Sequence, residues 1–287
     1  MQSSQTALLV REIESSIAKH GIMFRVFFRE KTQASIQAKV SKNPNKYDDS
    51  KKIQDIIGVR IALYFLDDVK VAQEILENKF NFIPEDSQID MLEHESFKAN
   101  RCNLMFRLPS NFDVTSIVGS DHIGLVDNTF EVQLRTILSE GWHEIDHDLR
   151  YKCKDDWAEL NTENRALNGV YATLETSEWT LLKLFEDISH THYKNKNWRA
   201  MLQNKFRLRM KESIKDSEAL SLLSKVPDLA KSIYRYDRSK LFACISSRLP
   251  LPITLSNIIY IINLDEVKNA EVIKNTPEAI VRWWNLK

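Results

Sequence analysis

The sequence is poor in the residues that mark several classes of protein. Its 287 residues include only six glycines, seven prolines and three cysteines. So few turn formers favour helices with short connections. Cys102, Cys153 and Cys244 are too scattered for a disulfide framework or a zinc module. We therefore expect a protein of a reducing compartment and predict a cytoplasmic location.

A long uninterrupted hydrophobic run is also missing. The most apolar stretch, 249–264, holds two prolines and two asparagines, which makes it too short and too broken to span a bilayer. The first twenty residues do not combine a basic start with an apolar segment, so no secretory signal is expected. We expect no association with a membrane.

The net charge is zero, with 40 Lys and Arg against 40 Asp and Glu, but the charges are unevenly spread. Residues 25–60 contain nine basic and four acidic side chains, and residues 67–95 contain nine acidic and two basic ones. Residues 194–240 contain thirteen basic and five acidic ones. Blocks of this size are typical either of local anion sites or of solvated helix faces, and the sequence leaves both open.

Strand and helix patterns alternate up to about residue 155, and helical patterns dominate afterwards. Segments rich in branched residues predict strands at 56–65, 101–108 and 129–136. Apolar periodicity predicts helices at 5–19, 31–40, 69–79, 138–154 and 165–190. The predicted fold class is α/β (α+β), a mixed β-sheet flanked by helices, with a mainly helical C-terminal region.

Charged residues occur inside two of the predicted strands. Asp55 precedes the first strand and Arg60 lies within it, while Glu131, Gln133 and Arg135 alternate along another. Period-two alternation places Glu131, Gln133 and Arg135 on one face of their strand, and Arg60 on the same face as Gly58 and Ile56 of the other. One sheet face would then carry these four charged or polar residues, with Asp55 near its edge. Two carboxylates can hold Mg²⁺ beside arginines that bind phosphate oxygens. The alternative is a solvent-exposed antiparallel face with ordinary cross-strand pairs.

A basic group lies just upstream, at Arg25, Arg29, Lys31 and Lys39. Lys31 and Lys39 are eight residues apart, near two helical turns, so they are predicted to point the same way. Such a group would suit the binding of a triphosphate, but basic side chains that only face solvent would show the same pattern.

Two histidines are spaced one helical turn apart. His143 and His147 have the i, i+4 spacing of zinc ligands, but HEIDH lacks a convincing downstream ligand. We favour a role in orienting neighbouring polar groups for Glu144, His147 and Tyr151, with Trp142 packed inward.

Together these segments resemble the synthetase domain of the RelA/SpoT family, which transfers pyrophosphate from ATP to the 3′-hydroxyl of a guanine nucleotide. The matching pieces are RVFFREKTQASIQAK (25–39), IQDIIGVRIALYFLDDV (53–69) and TFEVQLRTILSEGWHEIDHDLRYK (129–152). The resemblance implies a nucleotidyltransferase-like fold, ATP as donor and Mg²⁺ as cofactor.

The resemblance also implies roles for individual residues. Asp55, the aspartate of DxxGxR, would bind Mg²⁺, and Glu131, the glutamate of ExQxRT, would bind the metal or help to deprotonate the acceptor hydroxyl. Both are predicted catalytic residues and metal ligands. The predicted nucleotide-binding residues are Arg29, Lys31, Lys39, Arg60, Gln133 and Arg135.

The acceptor loop departs from the family pattern. The family carries a GYxSxH-like loop before a strand ending in RLP, and its Gly, Tyr and His positions fall here at Lys98, Ala99 and Asn103. The preceding residues, 85–95, include five acids and no Lys or Arg. An acidic site without the tyrosine is a poor host for a diphosphate nucleotide such as GDP.

Three functions therefore stay open. The first is a pyrophosphokinase with another acceptor, such as an adenine nucleotide or the 3′ end of tRNA, as in toxin-type relatives. The second is a guanosine tetraphosphate synthetase with a rearranged loop. The third is an inactive nucleotide-binding regulatory module. Stress signalling (the stringent response), a toxin and phage defence are all compatible settings.

The predicted organisation has four parts: an N-terminal helix (1–23), a pyrophosphokinase domain (24–156), a helical extension (157–212) and a regulatory or partner-binding region (213–287). Aromatic residues interleave with the charges of 194–240, which suits RNA, although a charged helix face explains the run equally well. An antitoxin or regulatory partner and self-association into a homo-oligomer are further expectations.

Overall fold

The computed structural model describes residues 3–42, 47, 52–90, 101–246 and 251–285. The chain divides into two compact units. The first comprises 1–16 and 24–178, and the second comprises 17–23 and 179–287. No helix within the described ranges has the length and apolar character needed to cross a membrane.

Five strands in the described residues form one sheet: β1 (Phe24–Glu30), β2 (Ile57–Leu63), β3 (Gln88–Ile89), β4 (Cys102–Arg107) and β5 (Thr129–Thr136). Their order is β1-β2-β5-β4-β3. The central pair, β2 and β5, is parallel, and the other pairs are antiparallel. The predicted mixed sheet is therefore confirmed.

The helices in chain order are α1 (Ser4–Ala18), α2 (Gln33–Lys42), α3 (Asp68–Lys79), α4 (Thr115–Val118), α5 (Ile137–Ile145), α6 (Asn161–Lys194), α7 (Trp198–Phe206), α8 (Asp216–Lys225), α9 (Leu229–Arg235), α10 (Arg238–Ser246), α11 (Leu255–Ile262), α12 (Ala270–Asn275) and α13 (Glu278–Asn285). Short 3₁₀ segments occupy Pro84–Asp86, Ser120–Leu125 and Lys154–Trp157, and π-helical turns occupy Asp146–Tyr151 and Asn263–Val267.

One face of the sheet builds the core of the first unit. Val132 and Leu134 of β5 and Val59 of β2 are almost fully buried. The rings of Phe106 on β4 and Phe130 on β5 stack with centroids 5.3 Å apart. These apolar side chains alternate with the polar ones along β5, so the opposite face of the same strands stays available for polar chemistry.

The second unit is helical and has its own core. All residues of α11 except Asn257 are buried, and Asp216 of α8 accepts a 2.9 Å hydrogen bond from the backbone N–H of Ser256. Residues 255–262 of the apolar stretch 249–264 thus form a buried helix in the core of the second unit, which agrees with the predicted helical C-terminal region.

Two local predictions need adjustment. The apolar segment at 26–28, which the sequence did not assign to a strand, lies within β1. It pairs with β2 along its whole length. The helix predicted at 138–154 is α-helical only to Ile145 and then widens into the π-helical turn Asp146–Tyr151.

Candidate functional site

The strand register places the predicted site residues on one open face of the sheet. Glu131 lies opposite Gly58, and Gln133 lies opposite Arg60, across the parallel β2–β5 pair. Arg29 lies opposite Gly58 across the antiparallel β1–β2 pair. Because directly paired residues share a face, basic groups from two strands surround Glu131.

Asp55 lies just before β2 and is held by two lysines. Lys31 forms a hydrogen-bonded ion pair with one carboxylate oxygen of Asp55, and Lys39 Nζ lies 3.3 Å from the other. Burial alone would raise the pKa of Asp55, but the hydrogen bond and charge of Lys31, together with the charge of Lys39, hold it below its usual value. Lys31 and Lys39 therefore point toward the same group, as the sequence predicted, and that group is the carboxylate of Asp55.

Glu131 has the opposite electrostatic character. Its side chain is half-buried and accepts a 2.9 Å hydrogen bond from Gln133 Nε2. Burial raises the pKa of Glu131; the Gln133 hydrogen bond opposes this rise, and the negative charge of Asp55 adds to it. Two carboxylates with pKa values pushed apart are suited to different roles, one as a stable anion and the other as a proton acceptor.

Two arginines of the face share one buried carboxylate, which the sequence analysis missed. Arg60 Nη1 donates to Glu140 Oε1 over 2.8 Å, and Arg135 Nη1 donates to Glu140 Oε2 over 3.1 Å. The amide oxygen of Gln133 accepts from both guanidinium groups, at 3.3 and 3.2 Å. A single network therefore runs from Glu140 through the arginines and Gln133 to Glu131.

Glu140 gave no sequence signal because it lies on α5 rather than on a strand. The capping box of Thr136 and Ser139 starts that helix directly after β5. The tight strand-to-helix junction turns Glu140 back over the arginines. Only the three-dimensional path of the chain places the three side chains together.

A cleft of about 210 Å³ opens over this face. Its floor includes Gly58, Arg60, Glu131 and Gln133, and its walls include Arg29 of β1 and residues that follow β5. The wall residues after β5 are Glu144, His147, Asp148 and Lys152. Glu144 also forms an ion pair with Arg60, and its predicted orienting role stays a prediction.

The two histidines of α5 and its extension lie in different surroundings. His143 is half-buried; burial and the charges of Arg135 and Arg60 lower its pKa to about 3. His147 contacts Asp148 at 2.8 Å and stacks on Tyr151. Trp142 is buried as predicted and donates from Nε1 to the carbonyl of Leu167 over 2.8 Å. Across the described ranges no cluster of three or more His, Cys, Asp or Glu is arranged to hold a metal ion.

The acceptor loop lies mostly outside the described residues, and this includes Lys98 and Ala99. Asn103, at the family's histidine position, lies on β4 opposite Gln133, which places it on the open face. Part of the acidic stretch is paired, because Asp90 forms a 2.8 Å ion pair with Arg101 and Asp86 accepts a 2.7 Å hydrogen bond from Gln54.

The comparisons with known proteins concern mainly this part of the chain. Residues 28–156 match the family model described as a region found in RelA / SpoT proteins. The GTP pyrophosphokinase YjbM of Bacillus subtilis is 28% identical over 124 residues, which are 43% of this chain and 54% of the relative. The chain thus spans about half the length of this curated relative.

Solved structures of similar fold include small alarmone synthetase 1 from Bacillus subtilis, with a TM-score of 0.44 and 19% identity over 63% of this chain and 92% of that one. Small alarmone synthetase 2 from the same organism has a TM-score of 0.44 and 21% identity, over 63% of this chain and 94% of that one.

The fold and the open face define a class of domain in which a mixed sheet presents two carboxylates among basic side chains. Residues 28–156, somewhat less than half of the chain, are similar to the region found in RelA / SpoT proteins.

Proposed function

We propose that this domain is an ATP-dependent pyrophosphokinase, which transfers pyrophosphate from ATP to the 3′-hydroxyl of a nucleotide or tRNA acceptor. The observation that carries the proposal is the pairing of Asp55, stabilised as an anion by two lysines, with Glu131, whose pKa is raised. The 28% identical relative is named a GTP pyrophosphokinase, which supports the reaction class.

The basic residues of the open face would bind the phosphates of ATP. Arg29 and Lys152 line the cleft together with Glu131, and Lys31 and Lys39 meet at Asp55, which is not among the residues that line the cleft. Arg60 forms ion pairs with two carboxylates, so its guanidinium group is already oriented before a phosphate binds. Charge neutralisation and positioning are the main requirements of phosphoryl-group transfer.

The donor set of Asp55 and Glu131 fits Mg²⁺. This ion takes oxygen ligands and is commonly held by one or two carboxylates together with substrate phosphates and water, so a larger cluster of protein ligands is not required. When bound, Mg²⁺ would neutralise the charge on the phosphate oxygens of ATP.

In the proposed reaction the 3′-oxygen of the acceptor attacks the β-phosphorus of ATP. A bond forms between that oxygen and the β-phosphorus, the bond from the β-phosphorus to the α,β-bridging oxygen breaks, and AMP leaves. Glu131 accepts the proton of the hydroxyl, which its raised pKa favours. Gln133 fixes the Glu131 carboxylate through its 2.9 Å hydrogen bond.

For the acceptor, we favour a molecule other than GDP or GTP. Acidic residues precede the acceptor loop, and the family's stacking tyrosine is replaced by Ala99. Asn103, on the open face beside Gln133, stands where the family has histidine. The alternative, synthesis of guanosine tetraphosphate, is supported by the name of the 28% identical relative.

The test is transfer of label from [γ-³²P]ATP in the presence of Mg²⁺, run in parallel against GDP, GTP, ADP, ATP and total tRNA. We expect label on one acceptor and AMP in equal amount. Label on ADP, ATP or tRNA alone supports the favoured acceptor class, and label on GDP or GTP supports the alternative.

Two variants control the assay. Glu131→Gln removes the proton acceptor and is expected to abolish the labelled product. Glu163→Gln, the same chemical change at an exposed position at the start of α6, is expected to keep it. ATP binding without labelled product from any acceptor contradicts the proposed activity.

A further inference from the structure

A group of aromatic rings lies at the surface of the second unit. The rings of Tyr193 on α6 and Tyr234 on α9 stack with centroids 4.9 Å apart. His190 lies 5.9 Å from Tyr234, and Trp198 lies 6.1 Å from Tyr193. His190 is exposed and the other three rings are half-exposed. We call these four residues the aromatic cluster.

Several cations lie around the aromatic cluster, although the charges of Glu186 and Asp237 also act on one of them, Lys205. Lys205 Nζ lies over the ring of Tyr234, 5.7 Å from its centroid. Lys194 follows His190 by one helical turn, and Lys231 precedes Tyr234 by three residues, so each shares a helix face with a ring of the cluster. Neither α7 nor α9 contains an aspartate or a glutamate.

The cations nearest the cluster in sequence are not neutralised. These cations are Lys194, Lys196, Arg199, Lys231 and Arg235. All five are exposed, and none of them forms an ion pair with another residue of the described ranges. Other lysines of the same unit are paired, such as Lys215 with Glu218 and Lys240 with Glu266. The cluster therefore combines aromatic surface with uncompensated positive charge.

This combination matches one chemistry better than others. Single-stranded polynucleotides present bases that stack on aromatic rings and phosphates that attract Lys and Arg, whereas duplexes hide their bases. An acidic peptide would use the charges but leave most of the rings without a partner. A purely structural cluster would not require the surrounding unpaired cations.

We propose that the aromatic cluster and its flanking cations form a binding site for a single-stranded polynucleotide. The bases stack on the exposed parts of the rings, and Lys194, Arg199 and Lys231 contact the phosphates. This site does not depend on the proposed function, because all its residues belong to the second unit.

The test measures binding of the full chain to fluorescein-labelled twelve-nucleotide oligo(U) RNA and oligo(dT) DNA by fluorescence anisotropy. A twelve-base-pair RNA duplex and poly-glutamate of similar charge are the comparison ligands. We expect one or both single strands to bind at least tenfold more tightly than the duplex and poly-glutamate. The RNA and DNA arms show whether the sugar is also recognised.

Variants separate stacking from charge. Tyr234→Leu and Trp198→Leu are each expected to weaken binding at least fivefold, as loss of one stacked base requires, whereas Tyr234→Phe keeps the ring and near wild-type affinity. The pair Lys194→Gln with Lys231→Gln is expected to weaken binding and to flatten its salt dependence. Its matched control, Lys215→Gln with Lys240→Gln, removes the same charge from paired lysines and is expected to change affinity less than twofold.

Several results would contradict the proposed binding site. These are equal affinity for the single strands and poly-glutamate, equal weakening by the two lysine pairs, or no single-strand binding at 100 μM protein. Thermal unfolding of each variant identifies any leucine variant that fails to fold, in which case the lysine pairs decide. Unchanged affinity in Glu131→Gln separates this site from the catalytic one.

Discussion

Arg60 of β2 and Glu140 of α5 form an ion pair of 2.8 Å between two elements that are distant in sequence. The carboxylate of Glu140 is nearly buried and also holds Arg135. One acid thereby fixes two arginines on the open face. Side chains held in this way need little reorganisation when a phosphate binds.

Loss of Glu140 should therefore destabilise the domain. Glu140→Gln leaves two partly buried guanidinium groups without their shared counter-charge, and we expect a loss of about 2 kcal/mol in the free energy of unfolding. The matched control is Glu144→Gln. Glu144 also pairs with Arg60, but its side chain is 50% exposed, against 11% for Glu140, so its loss should change stability by less than about 0.5 kcal/mol. Urea titration of both variants checks the difference, and equal losses contradict it.

The paired carboxylates should be needed for transfer more than for donor binding. We expect Asp55→Asn and Glu131→Gln each to remove labelled product while the Kd for ATP stays within about tenfold, or roughly 1.4 kcal/mol. The reason is that the basic residues of the face remain in place. Isothermal titration with ATP and Mg²⁺ measures the affinity, and unchanged turnover in both variants would exclude the two residues from catalysis.

The lysines at Asp55 should show the reverse pattern. The double variant Lys31→Gln with Lys39→Gln removes two positive charges from the open face, and we expect the Kd for ATP to rise at least tenfold. The loss should shrink at high salt, because screening already weakens these contacts in the wild type. The control variant, Lys70→Gln with Lys274→Gln, makes the same charge change at two exposed positions. We expect its Kd for ATP to equal that of the wild type.

His143 should make the stability of the domain sensitive to acid. Its pKa in the folded protein is about 3, whereas an unfolded chain has about 6.5. Between these values the unfolded state binds a proton that the folded state excludes, so the stabilisation is complete above about pH 6.5 and falls as the pH is lowered.

The variant His143→Phe removes this linkage. We expect the wild type to lose about 1 kcal/mol more than the variant between pH 7 and pH 5, a reduced figure because the ring is only half-buried. Unfolding free energies of both proteins at the two pH values provide the measurement. Parallel losses would show that His143 does not titrate differently on folding.

The sequence predicted the open face well because the side-chain period of a strand is fixed at two. Glu131, Gln133 and Arg135 alternate with buried Val132 and Leu134, as expected for a sheet with one apolar face. The order and direction of the strands could not be predicted from the sequence. The parallel pairing of β2 with β5 joins segments that are far apart in the chain, and local sequence patterns do not specify it.

The ion pairs around the open face could not be predicted from the sequence for a similar reason. Asp55, just before β2, meets Lys31 directly after β1 and Lys39 on α2, and Glu140 meets Arg60 through the junction after β5. Each contact depends on where the chain goes between elements, not on spacing along one element. The predicted roles of Asp55, Glu131 and the basic residues stay predictions until the variants are measured.

The parallel β2–β5 pair also has a consequence for protein synthesis. A nascent chain that has just completed β2 already carries Lys31, Lys39, Asp55 and Arg60, but the second carboxylate and Gln133 come only with β5. Until residue 136 has left the ribosome, β2 lacks its full parallel neighbour, and Arg60 lacks its partner Glu140 until residue 140 has followed. An incomplete chain thus carries the basic residues of the open face without Glu131, Gln133 or Glu140, so the network of this face forms only after β5 and the start of α5 have been synthesised.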